Sequence, residues 1–209
     1  MIGICLPSRG LIHSRTMEAV LEAVGYYGVE FYFSHDKPMP ECFNDTVKRA
    51  LDDDADFVLI IEEDIVIPKE GIMRLLGALE TADVAYFDYW LENGKRCLMK
   101  VGDYDICGTG AIMFTRKAIE TLYPFDNLQQ YDGRTLEPLN RVTVDRAEQS
   151  YGGHDVDLFK RAQDMGMTLT CAGECKHLRV TELGNKKKNK GYHTVKELDG
   201  TLSPETNYI

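Results

Sequence analysis

The sequence predicts an α/β domain with a Rossmann-like, mostly parallel central sheet flanked by helices. Two observations carry this. Short apolar runs of strand length alternate with segments patterned as helices through the first half of the chain. One of those runs, Phe57 to Ile61, is continuously apolar, as a strand covered on both faces must be.

Taken in order, Ile2 to Leu6 reads as a buried strand that stops at Pro7-Ser8-Arg9-Gly10. Ser14 to Val24 places Met17, Val20, Leu21 and Val24 at helical spacing, and Val29 to Phe33 is a second strand. Asn44 or Asp45 is a candidate cap for a helix through Val47, Ala50 and Leu51. After the strand at 57–61 come a helix over 70–81 and a strand over 84–87. Two further strands follow, over 96–101 and 110–115, and then a helix over 116–122. Residues 123–149 lack periodicity and read as a long functional loop. Asp155 to Met165 is patterned as an amphipathic helix, Thr168 to Cys171 as a strand, and the polar, lysine-rich end begins near Glu182.

The chain has 209 residues and a net charge of −10, enough length for one domain with its own core. That acidity argues against general nucleic-acid binding, although Lys186, Lys187, Lys188 and Lys190 make a local basic patch. No apolar run reaches the length of a membrane span. The six cysteines are scattered and the N-terminal run reads as a strand, so the expectation is reduced thiols and a cytoplasmic location.

The strongest local signal is Ile60-Ile61-Glu62-Glu63-Asp64-Ile65. Consecutive carboxylates at the end of a buried strand repel one another and add nothing to a core. Ligands of open α/β sheets bind at that strand end, and hard oxygen donors there suit Mg²⁺ or Mn²⁺. An acidic turn facing water is the plainer alternative. Further on, Gly152-Gly153-His154-Asp155-Val156-Asp157 opens a helix, where acids are also favoured simply by the helix dipole.

These segments, with Asn44 to Leu51 before them, resemble the GT-A glycosyltransferases of the family 2-like, Asp-x-Asp type. The resemblance runs in order from residue 2 to about 180. It implies a GT-A fold with a donor half at about 1–115 and an acceptor half at about 116–180, followed by a lysine-rich tail or lid at 181–209. It implies a metal held by Asp64, with Glu62 at the first acidic position of the motif and contacting ribose or a metal-bound water. His177, after Thr168 to Lys176, falls where the family completes its metal site, and an imidazole favours Mn²⁺ over Mg²⁺. Cys171, Cys175 and His177 are also conceivable as zinc ligands, but lack a clear fourth.

By the same resemblance Asp155 is the general base toward the acceptor hydroxyl if transfer inverts, and His154, standing where Glu is usual, joins it or orients a substrate. The donor would meet Pro7, Arg9, Asp36, Glu62, Glu63, Gly110 and Lys187. Gly110, in the Gly108-Thr109-Gly110 stretch, would let the sugar approach the backbone. Lys186 to Lys190 would close as a lid, or else form a solvated tail. Trp90, in the aromatic cluster Tyr86, Phe87, Tyr89, Trp90, and Asp157 would border the acceptor, unless the cluster is core.

The resemblance therefore implies a hexosyltransferase taking its sugar from a nucleotide-sugar donor, with a UDP-sugar favoured. The acceptor would be a small glycan or glycoconjugate. A hydroxymethylated DNA base is the alternative, because stand-alone transferases of this size resemble bacterial or viral enzymes. Outside that class stand a nucleotidyltransferase, for which a Gly-rich basic loop after the first strand is missing, and a non-catalytic sugar-nucleotide-binding module.

Overall fold

The computed structural model describes residues 1–8, 11–34, 37, 41–91, 94–122, 130–131, 134–135, 143–145, 150–152, 154–183 and 192–198, with only the backbone in the strands from 130 to 152 and beyond 178. In chain order the elements are β1 (Ile2–Pro7), α1 (Ser14–Val24), β2 (Val29–Ser34), α2 (Glu41–Asp52), β3 (Phe57–Ile61), β4 (Ile65–Val66), α3 (Gly71–Leu79), β5 (Val84–Asp88), β6 (Met99–Val101), β7 (Tyr104–Ile106), β8 (Ala111–Thr115) and α4 (Arg116–Leu122). There follow β9 (Gln130–Tyr131), β10 (Arg134–Thr135), β11 (Thr143–Asp145), β12 (Ser150–Gly152), α5 (His154–Asp164), β13 (Leu169–Glu174), β14 (Lys176–Leu183) and β15 (Tyr192–Leu198).

The expected α/β class is present. Six strands form the central sheet in the order β13-β5-β8-β3-β1-β2. Pairing is parallel except on both sides of β8, which runs opposite to the other five. Every side chain of β5 and all but the first of β3 are buried, which accounts for the unbroken apolar run at 57–61. Helix α2 lies so close to β1 that a Cβ at Gly3 would stand 2.7 Å from that of Ala50.

Three boundaries differ from expectation, each for a packing reason. Helix α2 starts at Glu41, so Asn44 and Asp45 do not cap it. Cys42, Phe43 and Asn44 are buried along with Val47, Ala50 and Leu51, and this inner face carries the helix back past the polar residues. The strand expected over 96–101 is shortened to Met99–Val101 and pairs with β7 outside the central sheet. Arg96 is held instead by Asp88 and Glu174, at 2.5 and 2.6 Å. Finally, β14 continues through Leu183 and pairs with β15, so ordered strand enters the segment read as a polar tail.

No helix of the described residues is long and apolar enough to cross a membrane. All six cysteines are free.

The contact at Gly3 yields a stability test. Gly3→Ala overpacks the β1–α2 seam and is expected to cost about 1–3 kcal/mol in urea unfolding. Adding Ala50→Gly should recover part of the loss, because the two changes share one contact. An unchanged midpoint for the single variant would refute the close approach.

Candidate functional site

The reversed direction of β8 shapes the site. Parallel strands β1, β3 and β5 all end at one edge of the sheet, and an antiparallel strand begins there. The start of β8 therefore meets the end of β3: the Glu62 N–H donates to the Gly110 carbonyl at 2.9 Å. Thr109, one residue earlier and 1% exposed, donates from its hydroxyl to Glu62 Oε1 at 2.7 Å. Its Oγ1 also lies 3.1 Å from His154 Nε2, at the first residue of α5. Three segments distant in sequence thus meet through one hydroxyl.

A second junction is built by β4 and β14. Their antiparallel register sets His177 against Ile65, and the Leu178 N–H donates to the Asp64 carbonyl at 2.8 Å. That brings His177 Nε2 to 3.2 Å from Asp64 Oδ2. The Tyr89 ring stands edge-on against His177 at 5.2 Å between centroids.

The electrostatics follow from crowding acids in a partly buried cleft. Burial pushes Glu62 up to about 7, with the charges of Asp64 and Asp155 adding to the rise, while the Thr109 hydrogen bond and His177 oppose it. For His177, burial works downward, but the hydrogen bond and charge of Asp64 outweigh it and the net displacement is upward. Burial lowers His154, and the charge of Asp155 opposes that shift.

The remaining expected residues divide clearly. Asp155 sits in the first turn of α5, where its charge is felt by both Glu62 and His154; its Oδ1 accepts from the Val156 N–H at 2.8 Å. Glu63 is turned away from Glu62 and Asp64. Its carboxylate accepts from Ser8 Oγ at 3.1 Å, and its carbonyl accepts from the His13 N–H at 2.9 Å and Thr16 Oγ1 at 3.2 Å. Pro7 ends β1, buried and paired with Ser34. The space left by the missing side chain of Gly110 is filled by Tyr89 and Ile65, 2.8 and 2.9 Å from where a Cβ would stand.

Trp90 is partly buried under the Arg96 guanidinium, 4.9 Å above its ring, while Tyr86, Phe87 and Tyr89 belong to the core. Asp157 is buried and accepts from Arg161 at 2.6–2.7 Å on its own helix. Arg9, Asp36 and Lys187 lie outside the described residues. Among the described residues no group of three or more His, Cys, Asp or Glu is placed to hold a metal ion. Asp64 and His177 meet, Glu62 is turned to Thr109, and Cys171 is exposed whereas Cys175 is buried.

Sequence reasoning passed over the contacts of Thr109 and the Asp88–Arg96 pair. Buried Asp88 closes the end of β5 by accepting from the Tyr89 and Leu98 N–H groups, at 2.8 and 2.9 Å, and from Arg96 Nε at 2.6 Å. An acid ending an apolar strand was the available signal, the same one that exposes Glu62.

Comparison with known proteins bears on the fold alone. No protein-family profile matches the chain. No curated protein sequence matches it either. Among solved structures it is similar to A197 from STIV, with a TM-score of 0.52 and 15% identity over 87% of this chain and 86% of that one. It is also similar to glucosyl-3-phosphoglycerate synthase from Mycobacterium tuberculosis, solved with Mn²⁺, uridine diphosphate and phosphoglyceric acid (TM-score 0.48, 12% identity, 85% and 70% of the chains). A third is the nucleoside-diphosphate-sugar pyrophosphorylase from Vibrio cholerae RC9 (TM-score 0.46, 10% identity, 83% and 91%). The first defines the class to which this chain belongs by fold: an α/β domain with a six-stranded, mostly parallel sheet flanked by helices.

The buried acid gives a pH test with a definite sign. Glu62 holds its proton up to about pH 7 when folded, against an ordinary 4.5. Its contribution to stability is complete below the lower value and lost as pH rises through the higher one. Glu62→Gln, which keeps an acceptor for Thr109, should therefore match the wild-type unfolding free energy near about pH 4 and exceed it near about pH 8, by up to about 3 kcal/mol in the metal-free protein. Equal differences at both pH values would show that Glu62 is not held protonated.

Proposed function

We propose that this chain is a metal-dependent glycosyltransferase of the GT-A kind, moving a hexose from a nucleotide-diphosphate sugar, with a UDP-sugar favoured, to an acceptor hydroxyl. The observation that carries the reading is the convergence of Glu62, Asp64, His154, Asp155 and His177 at the carboxyl edge of the sheet, Asp64 and His177 meeting from 113 residues apart. A fold does not require five ionisable side chains there, and their mutual repulsion and burial oppose stability. The motif resemblance supplies the reaction class.

The donor set fits a divalent cation shared with a substrate. Asp64 offers carboxylate oxygen and His177 an imidazole nitrogen on adjoining strands, and such ions are commonly bound through one or two protein groups plus substrate phosphates. A cation held by Asp64 and His177 would supply neutralisation of the leaving diphosphate. Glu62 then lies beside the donor, fixed by Thr109, and contacts ribose or a metal-bound water.

Asp155 takes the proton of the acceptor hydroxyl if transfer inverts the anomeric centre, a task suited to a carboxylate at a helix start in a partly open cleft. His154 shares that face of the cleft and orients the acceptor. Trp90 and Asp157 are proposed acceptor contacts. Arg9, Asp36 and Lys187 are proposed donor contacts on the motif resemblance alone.

Donor hydrolysis tests this without a known acceptor. One nucleotide sugar among UDP-, GDP- and dTDP-sugars is expected to be cleaved with Mn²⁺, more slowly with Mg²⁺, and not with EDTA. Asp64→Asn should abolish the metal requirement together with the activity. Inertness to every donor, with no thermal shift from any nucleotide plus Mn²⁺, would overturn the reading.

Once an acceptor is in hand, Asp155→Asn separates an enzyme from a binding module. Transfer should fall by about 10²–10⁴-fold while nucleotide affinity stays near wild type. Undiminished transfer would remove Asp155 from the mechanism.

A further inference from the structure

Between Glu174, the end of β13, and Lys176, the start of β14, the chain leaves the central sheet and enters the three-stranded one. His177 follows at once, so its place beside Asp64 depends on how that crossing is held. The crossing begins with a bulge. Cys171 pairs with Tyr86 and Glu174 with Asp88, so Ala172 and Gly173 together stand opposite Phe87 alone. Gly173 takes φ +120°, an angle open to glycine and strained for other residues. A Cβ there would meet nothing nearer than Arg74 Nη1 at 3.5 Å, so the backbone angle alone calls for glycine. The extra residue brings Glu174 level with Asp88.

Arg96 joins the two acids. Its Nε and Nη2 both reach Asp88 Oδ2, at 2.6 and 2.5 Å, and its Nη1 reaches Glu174 Oε1 at 2.6 Å. Asp88 Oδ1 accepts from the Tyr89 and Leu98 N–H groups, so the acceptor sites of this buried carboxylate are filled. The Asp88 carbonyl accepts from the Cys175 N–H at 2.9 Å. Arg96 is itself oriented by Trp90, with which it forms an antiparallel bridge and whose ring it covers at 4.9 Å. A planar fork of donors can span two carboxylates in this way, whereas a lysine ammonium is a single point of charge.

We propose that Arg96 is a positioning residue for His177: by bridging Asp88 and Glu174 it fixes the β13–β14 crossing, and with it the register that sets His177 against Ile65 and Asp64. Just beyond the crossing, the Leu178 N–H donates to the Asp64 carbonyl at 2.8 Å, and His177 Nε2 stands 3.2 Å from Asp64 Oδ2. The use of this register for a metal rests on the reading of the cleft as a transferase site. The placement of β14 is a property of the chain without ligand.

Amide hydrogen exchange of the full, metal-free chain is the test, with the Cys175 and Leu178 N–H groups as reporters. Both should be protected in the wild type. Glu174→Gln cuts the bridge but leaves buried Asp88 paired with Arg96, so the fold should hold. It should speed exchange of the two reporters by about 3- to 10-fold and leave the amides of β3 unchanged. Arg96→Lys should do the same, and the double variant should add little, because both changes act on one bridge. With Mn²⁺ and uridine diphosphate, titrated by the electron paramagnetic resonance signal of free Mn²⁺, Glu174→Gln should bind the metal about 10-fold more weakly. Unchanged reporter exchange in Glu174→Gln overturns the proposal whatever the metal binding. Faster exchange with undiminished Mn²⁺ affinity overturns the link to His177. Faster exchange in a chain whose wild type binds no Mn²⁺ with any nucleotide upholds the placement of β14 and sinks the metal reading instead. Should Arg96→Lys not fold, Glu174→Gln decides alone.

Discussion

The hydrogen bond from the Glu62 N–H to the Gly110 carbonyl, at 2.9 Å, is the joint on which the cleft depends. It extends the β3–β8 ladder past Ile61↔Ala111 and is possible only because β8 runs against its neighbours. A parallel strand in that place would begin at the far edge of the sheet, and Thr109 would lie a strand length from the acids. One reversed strand thus gives the carboxyl edge a loop start as well as loop ends. It supplies a neutral donor to a carboxylate that has no cation paired with it among the described residues.

The three acids at 62–64 each take a different partner. Glu63 is drawn toward Ser8 and the start of α1, where its carbonyl also receives the His13 N–H, so it links the first loop to the third strand. Asp64 turns to His177, and Glu62 to Thr109. A motif that reads as one acidic run is therefore three separate contacts. Two of them enter the cleft and one closes the neighbouring loop. The His177 contact in turn depends on a two-residue strand, β4, pairing with β14, which shows how little secondary structure is needed to fix a side chain once the register is set.

The sheet was legible because apolar strand cores obey burial, a local property. The run at 57–61 and the helices at 14–24 and 116–122 have the bounds their patterns indicate. What was not legible depended on partners distant in the chain. Arg96 left its expected strand for Asp88 and Glu174, and Asn44 was buried by the face it shares with Phe43 and Val47. Thr109 was invisible for the same reason. A threonine between two glycines has no periodicity or motif of its own, and its role exists only once β8 has been laid beside β3. Gly108 and Gly110 were noticed as room for a ligand, whereas that room is occupied by Tyr89 and Ile65.

On the proposed reading, the same crowding that costs the folded protein stability favours the ligand. With Glu62 pushed up to about 7 by burial and neighbouring acids, the cleft holds a proton that a cation at Asp64 would displace. A positive ion relieves the repulsion among Glu62, Asp64 and Asp155 at once, so its binding is favoured by the arrangement as a whole and not by two ligands alone. An anionic diphosphate by itself would meet a cleft of its own sign in a chain of net charge −10. Cation and donor must then enter together or in that order, and the acids that weaken the fold become the reason the donor is accepted only in its metal-bound form.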